Sequence, residues 1–376
     1  MTARPRESLS SHAATRPHPS RWWRAWPLWV GWAAALWSLV YGCLGAYWAL
    51  GGRGFPFGTG YDPGARLSVL ADARPETTGP LIALLGVLGT VAAAAMARGA
   101  GRGAVRTSLL AVAWSFAVTL ALVITDFRIL VLVAYAPILL LGAPFGWLTE
   151  LRIADAIDWP LVNQGVCMVG GVLWAAHAVS YQRRTRGACA HCGRGDVEPS
   201  WATREAAARW GKLAVAIAVL VPVVYAVTRL AWALGYPLGI TEAFFRQGVG
   251  TGLWLRGAAL AMLALVGAVL TLGLAQRWSE VFPRWIPIVG GRRVPRMLVM
   301  VPAAIVSIIV TTAGLMFVRA AIAGDFTLGT HAVTWSENWG ALWPELLWPI
   351  WGVALAAATV AYYVRTRGRC VHCGRL

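Results

Sequence analysis

The stretch LAVAIAVLVPVVYAVTRLAWALG, residues 213–235, carries a single charge, Arg229, in 23 residues. About 20 consecutive apolar residues are enough for a helix to cross the hydrocarbon core of a bilayer. This stretch therefore reads as a membrane span. Seven others read the same way, at 26–49, 80–97, 107–125, 164–181, 254–275, 297–318 and 343–364. Composition agrees: the 376 residues are 58% hydrophobic and 13% charged, with a mean hydropathy of +0.60. A soluble domain carries about 25% charged residues. The sequence predicts an all-α, polytopic helical membrane protein of about eight transmembrane helices. Many of its 22 tryptophans fall near span ends, among them Trp22, Trp23, Trp26, Trp48, Trp159, Trp254, Trp339 and Trp343. Indole rings favour the headgroup level, so interfacial anchoring accounts for them.

The net charge of +17 is unevenly placed. Residues 1–25, 182–212, 276–296 and 365–376 each sum to +4, and 97–106 to +3. The alternate connections, 50–79, 126–163, 236–256 and 319–342, lie between −2 and +1. Basic residues accumulate on the cytoplasmic side of a membrane. The pattern therefore predicts a multi-pass protein of the cell membrane, a bacterial inner membrane, with both termini cytoplasmic. It argues against nucleic acid and names the lipid bilayer as the partner. Residues 1–25 read as a disordered basic tail. The apolar run 129–142 is followed by Ala143-Pro144-Phe145-Gly146. At 14 residues it reads as re-entrant or interfacial, because a ninth crossing would reverse every later loop.

The chain repeats itself. YQRRTRGACAHCGR (181–194) matches YYVRTRGRCVHCGR (362–375) at ten of fourteen positions, 181 residues apart. VYGCLGAYWALG (40–51) matches VYAVTRLAWALG (224–235) at six of twelve positions, at an offset of 184. Two matches at nearly one offset imply a duplicated unit. The division is a first four-helix repeat over 26–194, a cytoplasmic linker over 195–212, and a second repeat over 213–376. Four crossings separate the two tails, so the repeats are parallel and both tails lie on one face.

The segment Tyr47-Trp48-Ala49-Leu50-Gly51-Gly52 resembles the YWALGG-type motif that ends the first helix in an uncharacterised family of small four-helix bacterial membrane proteins. The second half keeps Trp232-Ala233-Leu234-Gly235 of it. The resemblance implies a four-helix unit and no known activity. The cysteine tails lie outside it.

Cys189, Cys192, Cys370 and Cys373 carry the chemistry. Each C-x-H-C-G-R offers two thiolates and a glycine for the tight turn beneath them, and two such knuckles complete a Cys₄ zinc shell. Thiols stay reduced in the cytoplasm. The arginines beside them offset the −2 charge of a Zn(Cys)₄ centre. With four thiols present, His191 and His372 read as groups that point away or donate to a sulfur. Cys43 and Cys167 have no counterpart in the other half and read as packing residues.

Ionisable groups inside a bilayer are functional candidates. Arg229 sits within a span, and Glu242 in the following loop is an available partner. Asp126 and Arg128 sit at the outer end of the third span, and His177 lies near the inner end of the fourth. Snorkelling or interfacial placement is the alternative for each. Gly51-Gly52-Arg53-Gly54 and Tyr61-Asp62-Pro63-Gly64 read as turns. No metalloprotease, P-loop or serine-hydrolase motif is present. The sequence points to a non-enzymatic membrane protein of structural or scaffold type with a structural zinc. A small-solute transporter with a site between the repeats is the second reading. A membrane thiol–disulfide oxidoreductase using the C-x-H-C pairs is the third.

Overall fold

The computed structural model describes residues 25–142, 157–324, 327–328, 331–332 and 337–375. Nearly all of the expected basic tail, and the Ala143–Gly146 turn, lie outside the described residues. The helices are α1 (Trp26–Ala49), α2 (Pro75–Ala97), α3 (Gly103–Val118), α4 (Arg128–Gly142), α5 (Trp159–Thr185), α6 (Arg204–Ala233), α7 (Glu242–Gly248), α8 (Leu253–Gly273), α9 (Arg296–Ala323), α10 (Trp339–Leu346) and α11 (Trp348–Thr366). Thr327–Leu328 and His331–Ala332 pair as an antiparallel two-residue hairpin. The fold is all-α apart from such short pairings.

Eight helical segments are long and apolar enough to cross a membrane. They coincide with the eight spans read from the sequence, and most run beyond them. The extensions have local causes. Thr203 Oγ1 caps α6 by accepting from Ala206 N at 3.2 Å. The charged turns from Arg204 to Lys212 therefore stay helical below the apolar run. Asp158 Oδ1 caps α5 through Leu161 N at 2.9 Å, with Pro160 in the first turn, where a missing N–H costs nothing. α3 continues into a π-helical turn over Thr119–Val123. The last span breaks at Leu347, between Pro344 and Pro349, each of which removes a backbone donor. α4 has 15 residues. At about 1.5 Å per residue it is shorter than the ~30 Å hydrocarbon core, and it is not among the eight.

α1 packs along α2 with glycine facing glycine. A Cβ on Gly86 would lie 2.3 Å from Gly42 Cα, so only bare backbone fits. Such close approach drives helix association where the solvent is itself apolar. α5 closes against α1 and α3. Trp37, Tyr41, Trp48, Phe55 and Phe57 run as a chain of ring contacts through this half. In the second half α6 packs on both α8 and α11, and α9 on α11. Leu84, Val87, Leu88 and Val91 on α2, like Leu255, Met262, Val266 and Val269 on α8, remain exposed, as lipid-facing side chains do.

The halves touch where the π-turn meets α9. There Ile124 N bonds to Thr119 O at 3.0 Å, a five-residue step. Ala121 O accepts from Thr125 Oγ1 at 2.8 Å and from Thr312 Oγ1 of α9 at 3.2 Å. The widened turn therefore supplies a carbonyl to the other half. Ile129 of α4 and Leu161 of α5 also join the second half's core around Val310 and Leu355, and the pair of cysteine tails is a further meeting place.

Candidate metal centre

Each tail leaves its helix through equivalent anchors. Tyr181 Oη donates to Ala100 O at 2.6 Å, and Tyr362 Oη to Ser279 O at 2.9 Å. The Arg184 guanidinium holds Ala97 O and Met96 O at 3.2 and 3.1 Å. Arg365 holds Ala275 O and Leu274 O at 3.0 and 2.9 Å. Each pair of carbonyls belongs to the last turn of a neighbouring helix, or follows it, where carbonyls lack intrahelical partners. The tails then fold into matching loops. Cys189 N donates to Arg194 O at 2.9 Å and Gly193 N to Cys189 O at 2.7 Å. Cys370 N donates to Arg375 O and Gly374 N to Cys370 O, both at 2.9 Å. Gly193 and Gly374 take φ of 77° and 70°, the left-handed conformation that glycine adopts without strain.

The two loops face each other. The Sγ atoms of Cys189, Cys192, Cys370 and Cys373 all lie within 4.8 Å of one another, and Cys192 Sγ is 3.6 Å from Cys373 Sγ. All four are free thiols. A tetrahedral ion with bonds of about 2.3 Å holds its sulfurs roughly 3.8 Å apart. The cluster therefore has the donor set and spacing to hold a metal ion. His191 and His372 stack on each other, with ring centroids 3.5 Å apart, and neither belongs to the sulfur cluster.

The loops also prepare thiolates. Burial works against ionisation of Cys370, but backbone N–H groups of Cys373 and His372 and the thiols of Cys192 and Cys373 bring it down to about 7. Cys189 faces the same burial and is likewise lowered, by the N–H groups of Cys192 and His191 and by the thiols of Cys373 and Cys192. Burial pushes Cys192 up to about 12, and hydrogen bonds to Cys373, Cys189 and Cys370 add to the rise. Ionising all four requires a cation at the centre.

Arginines stitch the loops together. Arg194 reaches Gly368 O at 2.8 Å, Arg375 O at 3.2 Å and Arg367 O at 3.2 Å. Arg375 donates to Arg194 O at 3.0 Å and to Asp196 Oδ1 at 2.6 Å. Arg367 pairs with Glu198 and reaches Ala202 O at 3.1 Å. Arg183 holds Ala190 O and His191 O in the first loop, and Arg369 Nε holds Gly374 O in the second. The cluster is formed by both halves and by neither alone.

The other candidates are drawn into separate networks. Arg229 does not pair with Glu242. Its partner is Glu345, buried beside it. Arg229 also donates to Gly340 O at 2.8 Å and Thr228 Oγ1 at 3.0 Å, and lies over the Tyr225 and Trp232 rings. Glu242 begins the exposed helix α7 and accepts from Arg246 one turn away, at 2.9 Å. One signal was present: Glu345 is the one acid inside a predicted span. Arg128 bridges Asp126 at 2.7 Å and Asp62 at 2.6 Å. Gln164 Nε2 holds the same Asp126 oxygen at 2.7 Å. Asp62 and Gln164 were missed. Asp62 does cap its turn through Gly64 N, and it is also the second acid of this triad. His177 Nε2 bonds to Ala93 O at 3.1 Å within the first-half core. Cys167 Sγ lies 3.3 Å from Tyr41 Oη, and Cys43 is exposed.

No family model matches this sequence, and no curated protein or solved structure shows significant similarity to it.

Proposed function

We propose that the chain is a duplicated membrane scaffold whose two parallel four-helix repeats are clamped on the cytoplasmic face by one structural zinc ion. Cys189 and Cys192 hold the ion from the first repeat, and Cys370 and Cys373 from the second. The observation that carries this reading is the single set of sulfurs within 4.8 Å, drawn in equal numbers from two tails 181 residues apart. The repeat is supported by the matching anchors Tyr181 and Tyr362, and Arg184 and Arg365. A location of the tails in the reducing compartment is supported by the basic face of the charge pattern.

Zinc suits four thiolates in a tetrahedral set, and a shell filled by protein leaves no position for substrate. The role of such an ion is mechanical. The residues around it keep the thiolates aimed, shield them from water and balance their charge. Elemental analysis of the purified protein tests the reading. One zinc per chain is expected, falling to none in the Cys189→Ser/Cys370→Ser variant. A chain that folds and carries no thiophilic metal would refute it.

A further inference from the structure

On the face of the cysteine tails, the connection from α8 to α9 differs from its counterpart between α2 and α3. The earlier connection is residues 98–102, and the later one runs over 274–295 and folds. Val281 and Arg293 form an antiparallel bridge. Phe282 N donates to Arg292 O at 3.0 Å, Gly291 N to Phe282 O at 2.9 Å and Val294 N to Glu280 O at 2.9 Å. The loop closed by these bonds pushes Trp285 and Ile288 outward, 81% and 90% exposed. Ile288 has φ of 73°, a conformation that a β-branched residue keeps only where its surroundings impose it.

Behind the loop lies a cavity of about 780 Å³ between α8, α9 and α11. Trp278, Phe282, Ile286, Leu298, Val306 and Trp351 contribute to its apolar walls. From Arg296 at the foot of α9 to Val306 is ten residues, or about 15 Å of helix. That depth suits a hydrocarbon chain entering from the membrane surface. Arg277, Arg284, Arg292, Arg293 and Arg296 alternate in sequence with the lining residues, and all five are exposed. Among the described residues, none of these guanidinium groups has a hydrogen bond or an ion pair. The acid of the loop, Glu280, is already engaged by Arg365 at 3.2 Å.

We infer that this pocket binds an anionic phospholipid, its acyl chains in the cavity between α8, α9 and α11 and its phosphate against the arginines of the 277–296 loop. Basic pockets between membrane helices select anionic headgroups, and apolar burial of the chains supplies affinity that a soluble anion lacks. A choline headgroup carries its own cation and would meet five unneutralised guanidinium groups. Trp285 and Ile288 are placed to dip into the interface and hold the loop at headgroup depth. The site is independent of the metal.

The test is native mass spectrometry of the full chain released from nanodiscs of equal phosphatidylglycerol and phosphatidylcholine. Wild type should retain phosphatidylglycerol by at least about tenfold over phosphatidylcholine. In Arg284→Gln/Arg292→Gln/Arg293→Gln that preference should fall about tenfold or more, at unchanged metal content and thermal unfolding. Arg102→Gln, on the same face in the first half, should leave it intact. Ala303→Phe, which fills the cavity, should reduce retention of both lipids. Equal retention of the two lipids by wild type would overturn the inference, as would an equal loss in Arg102→Gln. Displacement by dissolved glycerol phosphate would also overturn it, by showing a headgroup-only anion site.

Discussion

Arg194 and Arg375, 181 residues apart, each donate a guanidinium hydrogen bond to the other's main-chain carbonyl, at 3.2 and 3.0 Å. The exchange is reciprocal, as expected where two equivalent loops meet face to face. It is not equal. Arg194 is 5% exposed and holds three carbonyls of the opposite tail, whereas the Arg375 side chain is 38% exposed and reaches the exposed Asp196.

That inequality sets the first expectation. Arg194→Gln should weaken metal binding by about 10–100-fold, the range for groups that position ligands. Arg375→Gln should weaken it much less, since its second partner is a surface pair. Competition with a zinc-binding dye gives both affinities. Equal losses would mean that the burial of Arg194 has no bearing on the centre.

Protonation of the metal-free centre gives the second. The folded Cys370 thiol is lowered to about 7 from an ordinary 9.0. A lowered acid contributes stability that is fully present above its unfolded value and is lost as pH falls through its folded value. Without metal, the association of the tails should weaken as pH drops from about 9 through 7. Alkylation of Cys370 should reach half its maximal rate near pH 7. Cys192, pushed up to about 12 by burial and its thiol neighbours, should stay unmodified across that range. Mass spectrometry of the alkylated peptides reads both, and faster labelling of Cys192 than Cys370 at neutral pH would contradict the burial order.

The buried Arg229–Glu345 pair gives the third. Removing one partner of a buried ion pair costs about 3–5 kcal/mol, because the other charge stays uncompensated. Arg229→Ala should therefore lower thermal stability in detergent far more than Arg246→Ala. Arg246 and Glu242 expose 77% and 57% of their side chains, and such pairs contribute little. Arg229→Leu/Glu345→Leu should recover much of the loss. If the double variant is as unstable as Arg229→Ala, the pair is more than mutual neutralisation.

These partners mark the boundary of what the sequence discloses. Spans were legible because apolar length is a local property, although the capped extensions at Thr203 and Asp158 were not part of it. The sulfur cluster was legible because the same six-residue loop is written twice. The partner of Arg229 was only faintly legible: Glu345 is the one acid in a predicted span, but Glu242 is nearer in sequence and Glu345 lies 116 residues away across a bundle. Asp62 was hidden for a different reason. Asp-Pro-Gly explains itself as a turn, and nothing local announces that the same carboxylate also reaches an arginine 66 residues further on. The arginine-rimmed cavity needs a folded connection, which charge counting reduces to a sum.

Topology gives the fourth expectation. If each of the eight long apolar helices crosses once, the positions after Gly193 and at the C-terminus share the side of the N-terminus. Reporter fusions at both sites should read cytoplasm. Opposite sides for the two would separate the tails by a bilayer, incompatible with sulfurs within 4.8 Å.

The last expectation tests whether the centre joins the halves. Val197 lies between the first cysteine loop and α6 and is 87% exposed, so a protease site placed there should be cut without unfolding the helices. After cutting, the halves remain linked by the sulfur cluster, by Arg194 with Gly368 and Arg367, and by contacts between the helices such as Ala121–Thr312. A closed Cys₄ site contributes more than either set of hydrogen bonds. Structural zinc in peptides is worth about 10–16 kcal/mol, part of it spent there on folding that these helices do not need. The cut halves should co-purify in detergent with metal present and separate on chelation, while helical content stays constant. Cys189→Ser/Cys370→Ser should separate without chelator. Halves that stay together at the same rate in all three conditions would show that the membrane contact alone holds them. The metal would then be confined to ordering the tails.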